Sequence, residues 1–125
     1  MERRGQKYHR ERLNEALREE IATILEGELS DPRIGLVSVS EVHLAPDSKS
    51  ARVMVVVDGE DDDASETMEG LQAAVGYIRR ELTERLQLRR APELQFQLDR
   101  SQESMARVEE LLSRTKRKGI GRSRA

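Results

Sequence analysis

The chain has 125 residues, of which 37% are charged and only 2% aromatic, with a formal net charge of −2. That length is one domain by the usual prior, large enough to bury a modest core without staples, and the absence of cysteine excludes disulfides, thiolate zinc sites and cysteine nucleophiles. The charged stretch Glu2 to Arg12 has no apolar segment of the signal-peptide kind and no apolar run approaches membrane-spanning length, so a cytoplasmic location is expected.

Residues 1–8 read as a flexible basic N-terminus. Leu13, Leu17, Ile21, Ile24, Leu25 and Leu29 then recur at spacings of three and four, which predicts a helix over 9–28. Asp31-Pro32 stops it, because proline disfavours helical geometry in the residue before it. In residues 36–45, Val37 and Val39 share one phase and Val42 and Leu44 the other, a slip that predicts a strand with a β-bulge near Ser40-Glu41. Pro46 to Lys49 supplies turn residues, and the β-branched run Ala51 to Val57 completes a hairpin with a buried second strand. The acidic loop Asp58 to Asp63 follows, with Asp63 and Glu66 spaced as a capping box for the next helix.

Residues 64–90 carry one apolar stripe, Met68, Leu71, Val75, Ile78, Leu82 and Leu86, interrupted by Ala74-Val75-Gly76. Glycine within a helix costs about 1 kcal/mol relative to alanine, so a kink is expected there. At roughly 100° per residue, Ala73, Gly76, Tyr77 and Arg80 fall opposite the stripe, and Arg79 flanks it; neither arginine is expected to anchor the core. Pro92 breaks the pattern, and Glu93 to Asp99 alternates as a strand with one wet face. Ser101 is placed to cap a last helix with an apolar stripe of Met105, Val108, Leu111 and Leu112, and residues 114–125 read as a flexible basic tail. The predicted order is α-β-β-α-kink-α-β-α. It implies an α+β fold over residues 9–113, a three-stranded sheet with the helices packed on one face, since each element has a single apolar stripe to bury.

Charge is segregated. Residues 58–69 hold seven acidic and no basic side chains, whereas 114–125 hold six basic and no acidic ones. Five arginines stand against two glutamates in 77–90, and five basic against two acidic residues in 1–12. Three basic segments in a mildly acidic chain point to a polyanionic partner.

Catalytic chemistry has little to draw on. The two histidines, His9 and His43, lie in a charged stretch and a strand respectively, and a catalytic role would require an orienting partner and a pocket as well. No zincin, P-loop, nucleophile-elbow or dinucleotide motif is present. Asp58, Asp61, Asp62 and Asp63 lack the alternate spacing and closing glutamate of a calcium loop, so a solvated acidic loop is expected, with no metal and no cofactor. Of the aromatics Tyr8, Tyr77 and Phe96, the last belongs to the apolar side of its strand, so the sheet is no base-stacking platform. What remains is phosphate contact by arginines beside a backbone-clamping element between two helices, the physical logic of a KH domain.

Asp31-Pro32-Arg33, the run Ala74 to Arg80, Leu88-Arg89 through Pro92-Glu93-Leu94, and Arg107-Val108 together resemble, in order over residues 9–114, the ribosome-binding factor A family. The resemblance implies a type II KH-like fold in which an Ala-x-Gly kink, here Ala74-Val75-Gly76, replaces the usual GxxG loop. It further implies a non-enzymatic factor that binds the immature bacterial small ribosomal subunit and helps mature the end region of its RNA, notably in the cold. On this reading the RNA-contacting set is Ala74, Gly76, Tyr77, Arg79 and Arg80 at the kink, Arg85, Arg89 and Arg90 extending the positive surface, and Arg33. Arg3, Arg4, Lys7, Arg10 and Arg12, with Lys116, Arg117 and Lys118, would be peripheral clamps. The expected state is monomeric. The rival is a protein-interaction adaptor using the outer face of the kinked helix.

Overall fold

The apolar stripe of the first helix organises the core. In the computed structural model, which describes the backbone of residues 2–124 and the side chains of residues 9–101, 103 and 105–115, helix α1 spans Glu2–Thr23 and continues into a π-helical turn, Ile24–Glu28. Leu17, Ile21 and Ile24 are fully buried. The Leu29 N–H donates to the Ile24 carbonyl at 3.2 Å, the bond of a π turn, and Leu29 itself is extended. The helical path therefore ends where its pattern predicts. It starts earlier, with helical backbone from Glu2, although residues 1–8 were expected to be flexible.

The bulge lies where the change of phase puts it. Strand β1 (Val37–Leu44) pairs antiparallel with β2 (Ser50–Val57), and the register shifts between Val39 and Glu41. Val37 and Val39 on one side of the shift, and Val42 and Leu44 on the other, thereby oppose Val57, Val55, Val53 and Ala51 on a single face. β2 is central, since β3 (Glu93–Leu98) adds parallel on its other edge, and Val53 and Val55 are fully buried there. The opposite face carries the exposed Ser38, Glu41, His43, Arg52, Gln95 and Gln97.

Helices α2 (Asp61–Ala73) and α3 (Val75–Arg85) make the crossover from β2 to β3. Leu71, Ile78 and Leu82 are fully buried against α1 and the sheet. The α2 capping box sits three residues earlier than expected: Glu60 is the N-cap, and its N–H donates to Asp63 Oδ2 at 3.0 Å. Acidic residues at Asp61, Asp62 and Asp63 complement the helix dipole. The buried Thr67 ties α2 to the loop before β1, accepting the Gly35 N–H at 3.2 Å and donating to the Arg33 carbonyl at 3.4 Å.

One expected packing contact is missing. Helix α4 (Ser101–Arg124) leaves Met105, Val108, Leu111 and Leu112 between 50% and 61% exposed. The apolar face of the sheet is already covered by α1, α2 and α3, so only these three pack on it. Asp99, rather than Ser101, supplies the acceptor at the helix start, receiving the Ser101 N–H at 2.9 Å. The backbone stays helical through the basic stretch expected to be a flexible tail; side chains from 116 onward lie outside the described residues.

Candidate nucleic-acid interface

Ala74 carries the kink. Its backbone (φ −88°, ψ −2°) closes α2 and opens α3, and its N–H bifurcates between the carbonyls of Gly70 and Leu71 at 3.0 and 3.1 Å. The next ladder bond runs from Ile78 N–H to the Ala74 carbonyl at 2.9 Å. Val75, Gly76 and Tyr77 begin α3 in a first turn that has no side-chain cap and no acidic residue. Gly76 is exposed, and a Cβ built on it would meet nothing nearer than Arg80 Nη1 at 3.9 Å. Tyr77 is 40% exposed and Arg80 is exposed, as the helical wheel requires, while Ala74 is half-buried. Bare backbone at Gly76 thus stands beside the exposed Arg80 guanidinium, with no acidic residue in the turn.

The other arginines divide by what they touch. Arg79 turns inward: its Nε donates to the Pro92 carbonyl at 3.0 Å and its Nη2 to the Ala91 carbonyl at 2.8 Å. The expectation that Arg79 does not anchor the core is therefore corrected, because its guanidinium is the donor to the carbonyls of two buried residues, Ala91 and Pro92. Arg85 is also withdrawn from the positive surface. It joins Glu28 at 2.7 Å, Glu81 at 3.0 Å and Glu20 at 3.3 Å, which hold its pKa above the usual arginine value and tie α3 to α1. Arg33 is chelated by Asp31, Nη2 to Oδ2 at 2.7 Å and Nε to Oδ1 at 3.1 Å. That fork, with the Arg33 N–H on the same carboxylate, lowers the Asp31 pKa to about 2.

Arg89 and Arg90 stay exposed on a loop whose course is fixed at both ends. At its start, α3 closes with Gln87 in the left-handed region (φ 52°) and Leu88 N–H on the Thr83 carbonyl at 3.0 Å, a Schellman-type turn that reverses the chain. At its end Arg79 grips Ala91 and Pro92, and Glu93 N–H donates to the Lys49 carbonyl at 2.9 Å. A hollow of about 450 Å³ opens there between Lys49 and Arg90. Next to it, Arg10 and His9 of α1 line a second hollow against Pro46, Asp47 and Ser48. Asn14 pins that end of α1 by accepting the Leu44 N–H at 2.8 Å.

The Arg89-Arg90 loop, the β1–β2 turn and the start of α1 thus follow one another at one end of the sheet, and Arg79 ties that loop to α3 about one turn beyond the kink. Lys49 and Arg52, which the sequence pattern did not single out, fall in this region. Their only signal was a basic side chain within a turn-forming run and on the wet phase of β2. Arg12 is exposed on α1, and Lys116, Arg117 and Lys118 lie outside the described side chains. The acidic segment from Asp58 begins at the far end of β2, roughly 30 Å from Lys49 at ~3.3 Å per strand residue. Among the described residues no group of three His, Asp or Glu side chains is gathered as a metal would need, and no helix is long and apolar enough to cross a membrane.

This arrangement has relatives. The sequence model of ribosome-binding factor A matches residues 9–112. The chain belongs to the ribosome-binding factor A family. The ribosome-binding factor A of Koribacter versatilis is 60% identical over 118 residues, covering 94% of this chain and 96% of that one. That of Thermomicrobium roseum is 46% identical over 105 residues, covering 84% and 81% respectively. Among solved structures of the family, the crystal structure of the Thermus thermophilus factor superposes with a TM-score of 0.64 at 27% identity, covering 71% of this chain and 93% of that one. A homology model of the Thermus thermophilus factor, fitted into the cryo-EM map of its 30S complex, gives a TM-score of 0.60 at 29% identity with the same coverage. The α+β fold and the resemblance read from Asp31-Pro32-Arg33 and the Ala74 to Arg80 run are thereby shown.

Proposed function

We propose that this protein is a non-enzymatic, cytoplasmic assembly factor that binds the free, immature small ribosomal subunit as a monomer and promotes late maturation of its 16S RNA, including end processing and growth in the cold. The observation that carries the reading is the exposed Gly76 beside the exposed Arg80 on the solvent side of a helix pair, in a first turn of α3 with no side-chain cap and no acidic residue. Such a surface accepts the sugar-phosphate chain without reading bases, which is how a KH-like clamp grips nucleic acid. Arg89, Arg90, Lys49 and Arg10 continue the positive charge, and the acidic pole beyond β2 orients the molecule on a polyanion. The 30S complex of the Thermus thermophilus relative supports the same partner here.

The test is sedimentation of a cell extract through a gradient. Co-migration with free small subunits and absence from intact ribosomes is the expected result, and a gene deletion should accumulate precursor 16S RNA and slow growth in the cold. A protein that stays at the top of the gradient under all conditions refutes the reading. The adaptor alternative gains nothing from the kink, whose outer face offers one aromatic ring and no apolar patch.

A further inference from the structure

We infer that Arg79 is a positioning residue, which sets the Arg89-Arg90 loop relative to the Ala74–Gly76 kink and does not itself hold phosphate. The inference rests on the reading that Arg89 and Arg90 contact ribosomal RNA. Its basis is geometric. The guanidinium of Arg79 spends two of its donors on consecutive carbonyls, Ala91 at 2.8 Å and Pro92 at 3.0 Å, immediately after the two exposed arginines. Ala91 and Pro92 are buried residues and both bonds are part-buried, so removing the arginine leaves two carbonyls short of their donor. Arg79 stands three residues beyond Gly76 on α3, and Thr83 donates to the Arg79 carbonyl at 2.9 Å. One side chain thus spans from the second turn of α3 to the far end of the loop that α3 launches. The loop's other end is fixed by the Schellman-type turn at Gln87.

A fork with two parallel donors suits this task, because it fixes direction as well as distance. Lysine keeps the charge but offers a single rotatable ammonium that cannot reproduce the fork. For a phosphate ligand, by contrast, lysine is a competent replacement. The two roles therefore make opposite predictions for Arg79→Lys.

The experiment is a thermodynamic cycle of Arg79→Lys with Arg89→Gln/Arg90→Gln, read as affinity for purified free small ribosomal subunits at one fixed salt concentration. All variants are checked by thermal melting to be folded at the assay temperature. Arg79→Lys is expected to lose at least about fivefold in affinity on the wild-type background and less than about twofold once Arg89 and Arg90 are gone, since nothing is then left to position. Wild-type affinity for Arg79→Lys, or an equal loss on both backgrounds, overturns the inference. Wild-type affinity for Arg89→Gln/Arg90→Gln alone instead overturns the reading it rests on. Should Arg79→Lys be unfolded at the assay temperature, Arg79→Gln, which can retain one donor to the carbonyls, takes its place in the same cycle, and the same losses support or overturn the inference.

Discussion

Gly70→Ala and Gly76→Ala add the same methyl group to the same helix pair, with opposite expected outcomes. At Gly70, which is buried in α2, the new Cβ would lie 2.6 Å from Ile34 Cγ1 and 3.3 Å from its Cδ1. Ile34 cannot simply withdraw, because the residues on either side of it are both tied to Thr67, Gly35 through its N–H at 3.2 Å and Arg33 through its carbonyl at 3.4 Å. Overpacking by a methyl costs ~1–3 kcal/mol, set against ~1 kcal/mol gained from helix propensity, so a net loss of about 1 kcal/mol is expected. At Gly76 the methyl meets open space, with Arg80 Nη1 at 3.9 Å as its nearest neighbour. There the propensity term acts alone and stability rises by up to about 1 kcal/mol. Each kcal/mol moves the melting midpoint by roughly 3–5 °C in a domain of this size. Melting followed by circular dichroism should therefore place Gly70→Ala below and Gly76→Ala at or above the wild type. A Gly70→Ala midpoint equal to the wild type would show that the loop at Ile34 is not pinned. A lowered midpoint for Gly76→Ala would show that this glycine serves the geometry of the kink. Gly76→Leu extends the comparison: it should fold, since the site opens to solvent, and on the proposed reading it should bind small subunits several-fold more weakly by blocking the approach of the partner's backbone.

Arg89→Gln/Arg90→Gln should weaken subunit binding and lower its log–log salt slope by roughly 0.7–0.9 per lost phosphate contact, with an unchanged melting midpoint; an unaltered slope would show that neither touches RNA. Arg85→Met should do the reverse, lowering the melting midpoint by stranding Glu20, Glu28 and Glu81 while leaving the salt slope alone. High salt should narrow that deficit by screening the three carboxylates. Asp99 has its pKa lowered from 3.8 to about 2 by hydrogen bonds from Ser101 and from Ser40, whose Oγ lies 2.6 Å from Oδ2. A folded-state pKa below the unfolded one gives stability that is complete above pH 3.8 and is lost as pH falls through about 2. Melting midpoints measured between about pH 5 and 2 should accordingly fall less steeply for Asp99→Asn than for the wild type, and parallel curves would refute the linkage.

The elements and the bulge were legible because each is a local pattern. Val37, Val39, Val42 and Leu44 announce a change of phase wherever the strand ends up, and the register shift falls between Val39 and Glu41. The outer face of the kink was legible for the same reason: Gly76, Tyr77 and Arg80 follow from helical geometry alone. What stayed hidden depends on which surfaces remain to be covered. The stripe of α4 has the same spacing as those of α1 and α2, but three helices already fill the apolar face of the sheet, so Met105 and Leu112 stay in solvent. Gly70 gave no sign of its tight packing, since the contact is with Ile34, far away in the chain.

Arg79 and Arg80 show where a sequence pattern stops deciding. They are neighbours of one residue type, about 100° apart on the helix, and the pattern treats both as outward charge. A turn of about 100° is enough to bring one guanidinium over buried carbonyls and leave the other facing solvent. The carbonyls of Ala91 and Pro92 need donors because the loop that carries Arg89 and Arg90 must return close against α3 before β3 can pair with β2. An inward arginine is thus the condition for two outward ones, and a reading that assigns every arginine of such a segment to the partner overcounts the contacts and overlooks the brace that aligns them.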